Sequence, residues 1–134
     1  MSSEEIFVTG WPKPKGYANG RTGRGAALHV GGQIGWDEHG TFTERGLVGQ
    51  FGKALDNVLA VVRAAGGAPS DIARMTVYVT DIEDYRQARK QLGPVWRARM
   101  GQHYPAMALV GVTALVEEDA LVEIEATAYI GGDS

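Results

Sequence analysis

Cysteine is absent from the 134 residues of the chain, which excludes disulfides, thiol nucleophiles and thiolate metal ligands while leaving the redox compartment open. An excess of positive charge is missing too. The formal balance is −3, so nothing electrostatic points to nucleic acid as a partner. Nowhere do about 18 apolar residues follow one another, as a membrane span requires, and the opening "MSSEEIFVTG" has no basic flank of a targeting segment. These absences leave a cytoplasmic protein with no membrane partner as the expectation. Histidine is scarce, and His29, His39 and His103 stand without ligand spacing, which argues against a metal site. His29 falls inside an expected strand and reads as a hydrogen-bonded structural histidine.

What is present is an ordinary globular composition, 44% hydrophobic and 22% charged, at about one domain's length. The expected organisation is a single domain over residues 1–134, with residues 1–25 a partly irregular N-terminal arm. That arm is rich in Gly, Pro and basic residues ("GWPKPKGYANGRTGRG"), with one short strand expected near residues 6–8. Its Lys13, Lys15, Arg21 and Arg24 form either a solvated loop or an anion-binding arm. Residues 26–34, "AALHVGGQI", read as a strand whose paired glycines admit a close neighbour.

In "LVGQFGKALDNVLAVVRAAGG" the apolar residues Leu47, Phe51, Leu55, Val58, Leu59 and Val62 recur every three or four positions, and Gly66 and Gly67 end the run. This spacing predicts an amphipathic helix. Residues 73–80, "ARMTVYVT", predict a strand. Asp81 and Asp84 offer caps for a second helix through Tyr85, Ala88, Leu92, Val95 and Trp96, with a kink or restart at Gly93-Pro94. Two more strands, from Ala106 and from Leu121, follow as a pair joined by the acidic turn "VEEDA". Right-handed crossovers would set both helices on one face of a mixed sheet, leaving the other bare.

The last strand carries the most pointed question. In "LVEIEATAYI" Val122, Ile124, Ala126, Ala128 and Ile130 share one side, and Glu123, Glu125, Thr127 and Tyr129 the other. Either both carboxylates belong to a solvated sheet edge, or one of them lines a cleft where subunits meet. The neighbouring strands look apolar on both sides, as in "MTVYVT" and at Met107, Leu109 and Val110, and a bare apolar face commonly meets another subunit. The glycines at 20, 23 and 25 lack the dinucleotide spacing, and no phosphate loop or nucleophile elbow occurs.

"VGGQIGWDEHG", "FGKALDNVLAVVRAAGGAPSDIARMTVYVTDIEDY", "YPA" and "LVEIEATA" together resemble the RidA/YjgF family of small enamine and imine deaminases, also called endoribonuclease L-PSP-like. The likeness runs from about Tyr17 to Tyr129, nearly the whole chain. It implies an α+β fold of the chorismate mutase-like kind, a six-stranded mixed sheet with two helices on one face, assembled as a homotrimer with clefts between subunits. It implies a small-molecule substrate, such as the reactive imine or enamine of an amino acid, hydrolysed with no cofactor and no metal. The catalytic carboxylate of the family matches Glu123. Tyr17, Gly31 and Gly32 match positions that border the family cleft, and Glu125 is given no catalytic part.

The departures from that pattern are specific. Where well-studied members have an arginine that forks onto the substrate carboxylate, this chain has Met107, whose thioether offers no charged donor. Loss of such a contact costs a few kcal/mol, roughly a hundredfold in affinity for a small carboxylate. A family serine is Gly31 here, and a family asparagine is Arg89. Arg89, or Arg21 or Arg24 from the arm, is the candidate replacement cation. Three readings follow: a divergent hydrolase of a reactive imine or enamine, inefficient on 2-aminoacrylate; a non-catalytic trimer that binds a small molecule; and, least supported by the acidic charge, a ribonuclease or translation inhibitor.

Overall fold

The structure, a computed structural model, describes residues 3–132. Its elements in chain order are β1 (Ser3–Ile6), β2 (Gly20–Gly23), β3 (Gly25–Ile34), α1 (Leu47–Ala64), a 3-10 turn (Pro69–Asp71), β4 (Ile72–Val79), α2 (Ile82–Met100), β5 (Ala106–Gly111) and β6 (Val122–Gly131). Among the described residues no helix is long and apolar enough to cross a membrane.

The α+β architecture and its six strands are those expected, but the strands divide. Four form a mixed sheet in the order β3-β6-β4-β5, while β1 and β2 pair as an antiparallel ribbon. The break falls where the chain turns from β2 into β3. Gly25 has φ +107°, and a Cβ there would lie 2.2 Å from the Ile130 carbonyl oxygen, so only glycine makes this corner. Strand β2 lies in a stretch expected to be irregular. Its order comes from pairing with β1, and local propensity for "GRTG" gives no sign of that. The N-terminal strand itself begins at Ser3 and ends at Ile6, ahead of the expected position.

Strands β5 and β6 follow one another in sequence yet are not a pair. β4 lies between them, parallel to β5 and antiparallel to β6. The long segment from Val112 to Leu121 therefore crosses a neighbour, which a tight acidic turn would not do. β6 is central, antiparallel to β3 on its other side.

Both helices pack on one side of the sheet. Val122, Ile124, Ala126 and Ala128 of β6 and Met75, Val77 and Val79 of β4 are buried against Leu55, Val58, Leu59 and Val62 of α1. Each of the valine, leucine, isoleucine and methionine side chains among them contributes roughly 1.5–3 kcal/mol relative to exposure. Helix α2 is capped by Asp81, whose side chain accepts the Asp84 N–H at 3.1 Å. It runs through Pro94 as one helix to Met100, without the expected restart. Proline removes a single backbone donor, and the buried Ala88, Leu92, Trp96 and Met100 on both sides of it hold the helix in place.

The opposite face is less apolar than the sequence suggested. On β4 the outward residues are Arg74, Thr76 and Tyr78, because strict alternation sends Met75, Val77 and Val79 under the helices. On β5, Met107 pairs with buried Met75 and sits on the helix side with Leu109, while Val110 pairs with Tyr78 on the open side. Exposed apolar surface on that face narrows to Ala27, Ala108 and Val110.

Candidate functional site

Strand pairing brings Glu123 and Glu125 into a polar patch on the open face. Glu123 stands opposite Tyr78, and Glu125 opposite Thr76. The Tyr78 hydroxyl reaches diagonally along β6 and donates a short hydrogen bond to Glu125 Oε1. That bond, with the charges of both glutamates, pushes the Tyr78 phenol above its ordinary pKa, so it stays a proton donor. Glu125 is thus engaged. Glu123 has no side-chain hydrogen bond among the described residues.

A bulge in β3 shapes the space around Glu123. Val30 pairs with Ala126 and Gln33 with Ile124, so Gly31 and Gly32 face a single interval of β6. The two glycines differ. A Cβ on Gly32 would lie 2.5 Å from Glu123 Oε2, whereas one on Gly31 meets nothing within 4 Å. The carboxylate therefore rests over the backbone of Gly32, beside main chain that has left the regular ladder. Asn57 of α1 fixes the end of this strand by donating to the carbonyls of Ile34 and Trp36, each at 2.9 Å.

The remaining expected site residues gather elsewhere. Tyr17, Arg89 and Met107 line a cavity of about 570 Å³ between α2 and β5. Tyr17 is held there because Ala18 bridges to Ala106 and its N–H donates to the Pro105 carbonyl at 2.9 Å. The wall is built on Trp96 and Tyr104, stacked at 5.8 Å with nearly parallel planes. Trp96 Nε1 donates to the His103 carbonyl at 3.1 Å, fixing the indole. Burial pushes the Tyr85 phenol up, against the pull of the Arg89 cation.

The chain therefore separates its expected site into two groups. Glu123, Gly31 and Gly32 lie on the open face; Tyr17, Arg89 and Met107 lie on the helix side at the β5 edge. Among the candidate cations, Arg21 is already committed: its guanidinium donates to Ser3 and to the Tyr104 carbonyl and lies 3.9 Å from Glu5. Lys13, Lys15 and Arg21 line a second hollow of about 830 Å³ under the N-terminal ribbon. Arg24 lines neither cavity. His29 is exposed, with its Nδ1 3.4 Å from the Thr127 hydroxyl, and lies on the open face. His103 is half-buried, and its Nε2 meets the Ile72 carbonyl at 2.7 Å.

Sequence reasoning did not single out the Tyr78–Glu125 contact, the Trp96–Tyr104 stack or Gln50. The first was within reach, since Tyr78 and Glu125 both have outward parity on central strands. The other two depend on long-range packing. Gln50 is buried to 1% exposure on an otherwise apolar helix face. It donates to the carbonyls of Glu44 and Asp119 and accepts the Leu121 N–H, pinning the connection before β6.

Residues 12–130 match the family model described as Endoribonuclease L-PSP. The chain belongs to this RidA/YjgF family. Within it, the chain is similar to a RutC family protein of Pyrococcus abyssi, 32% identical over 96% of this chain and 98% of the relative. It is also similar to the human 2-iminobutanoate/2-iminopropanoate deaminase, 29% identical over 78% of this chain and 73% of that one. Among solved structures it resembles YyfB, a Rid family protein of Yersinia pestis, with TM-score 0.82 and 30% identity, covering 97% of this chain and all of the other.

Proposed function

We infer that this RidA/YjgF-family chain hydrolyses a reactive imine or enamine in a cleft completed by a second copy, within a homotrimer. The observation that carries this reading is the division of the expected site between two faces of one sheet. Met107 pairs with Met75 on the helix side, and Glu123 with Tyr78 on the open side, so one protomer cannot offer both groups to a single small ligand. The name carried by the human relative supports the reaction class.

In this reading Glu123 handles water. Its carboxylate takes a proton from a water molecule as the oxygen attacks the imine carbon, giving a carbinolamine. That proton passes to the nitrogen; the carboxylate then takes the carbinolamine's hydroxyl proton and delivers it to the amino group, so that the C–N bond breaks, ammonia leaves and a carbonyl product remains. Glu123 is suited to this because Tyr78 occupies Glu125 and leaves Glu123 without a side-chain partner among the described residues. Backbone groups at the Gly31–Gly32 bulge border the reacting centre. No cofactor is needed.

The test is to generate imines in place from several amino acids with an amino-acid oxidase and to trap the survivors with semicarbazide. Faster loss of trapped imine than in buffer, abolished by Glu123→Gln, is expected. Light scattering should give three times the protomer mass. A protein that accelerates no imine, or that is monomeric, would overturn the reading. Met107 in place of a carboxylate-binding arginine favours one alternative, a trimer that holds a small molecule without converting it. That alternative predicts ligand binding unaffected by Glu123→Gln and no turnover.

A further inference from the structure

The cavity between α2 and β5 is segregated in a way the hydrolytic reading does not require. Its walls are apolar or aromatic, from Tyr17, Tyr85, Trp96, Tyr104, Met107 and Leu109. Its charged lining residues are Lys15, Arg89 and Arg97, and no aspartate or glutamate lines it. In a chain of net charge −3, three cations around one hollow free of acids mark a place for an anion. The arginines are available for it. Arg86 pairs with Glu83 and Arg99 with Asp56, whereas Arg89 and Arg97 make no ion pair or side-chain hydrogen bond among the described residues.

Size and shape narrow the anion. About 570 Å³ lies within the range of cavities that enclose a whole organic ligand, and a three-carbon acid would leave most of it to water. The flat Trp96–Tyr104 stack and the adaptable Met107 suit a ring or a branched apolar group. Arg97 lies along Gly93, its Nη1 3.1 Å from where a Cβ would be, so it is laid against its own helix. Arg89 is one turn from Tyr85 and close enough for its charge to act on that phenol.

We propose that this cavity binds an α-imino or α-keto acid with an aromatic side chain, the ring against Trp96, Tyr104 and Met107 and the carboxylate forked by Arg89. The cation for the substrate carboxylate then comes from helix α2, in place of the strand position that Met107 occupies. The imino form as substrate rests on the hydrolytic reading; the binding does not.

Calorimetric titration with phenylpyruvate, pyruvate and uncharged phenylacetone tests it. Phenylpyruvate is expected to bind about tenfold or more tighter than pyruvate. Arg89→Ala should weaken phenylpyruvate about tenfold or more while leaving phenylacetone unchanged, and Arg89→Lys should recover part of the loss. Equal affinity for phenylpyruvate and pyruvate, or no effect of Arg89→Ala, would overturn the proposal. Tight, Arg89-dependent binding without imine turnover sustains the site and sinks the hydrolase. Glu123-dependent turnover of small imines without phenylpyruvate binding does the reverse.

Discussion

The two faces of the sheet differ in kind as well as in exposure. The open face presents polar and charged side chains, Glu123, Glu125, Tyr78, Thr76 and Arg74, close to backbone loosened at a bulge. The helix side offers an aromatic hollow ringed by cations. The contrast follows from alternation on three adjacent strands. Adjacent residues on a strand point to opposite faces, so a chain that folds this way sets Glu123 apart from Met107 and Arg89 by the thickness of one sheet.

The largest effect expected on the open face comes from Glu123→Gln, which keeps the shape of the side chain and removes its base. Imine turnover should fall about a hundredfold or more while the thermal midpoint stays within error, as stopped-flow trapping and calorimetry would read. Turnover that survives this change would erase the distinction between the faces.

Next in size is the contrast between the two bulge glycines. Gly32→Ala should displace the Glu123 carboxylate and lower kcat about tenfold with little loss of stability, because the group in its way is the mobile end of a side chain. Gly31→Ala meets open space and should leave kcat near wild type. A steady-state comparison of the pair sharpens the assignment of the site to one glycine.

A third change leaves both faces in place and loosens what joins them. Gln50→Leu leaves the Leu121 N–H and two carbonyls without partners. It is expected to cost about 3 kcal/mol, visible as a lower urea midpoint.

The smallest effect is one of pH. Burial holds the His103 ring below its ordinary 6.5, with Arg21 acting in the same direction and Ile72, Asp71 and Glu5 opposing. The unfolded chain therefore takes up the proton more readily. Stability from the neutral ring is present above about pH 6.5 and is lost as pH falls through the folded value. The urea midpoint should drop between about pH 7.5 and about pH 5.5, and His103→Gln should flatten that slope.

Much of the architecture was legible because periodicity reports burial directly. The apolar spacing of α1 and the alternation of β6 are the imprint of one buried side each, and both elements stand where expected. Neighbours in space were harder to read. Nothing local in "AMALVGVTAL" says that β4 will lie between it and the next strand, and β2 owes its order to a partner. For the site, residue types were readable and their grouping was not. Glu123 with Gly32, and Arg89 with Met107, depend on which side of a strand each residue takes and on a one-residue bulge that shifts β3.

The last strand in chain order occupies the middle of the sheet, hydrogen-bonded on both edges. During synthesis β3 and β4 must wait with bare edges until β6 is made, and bare edges invite pairing with other chains. Assembly is thus gated by β6, and shortening it would open a gap at the centre where trimming an outer strand would only fray the margin. The glutamate that the proposed reaction depends on rides on that same keystone, so a nascent chain would acquire its reactive carboxylate only at the moment its sheet closes.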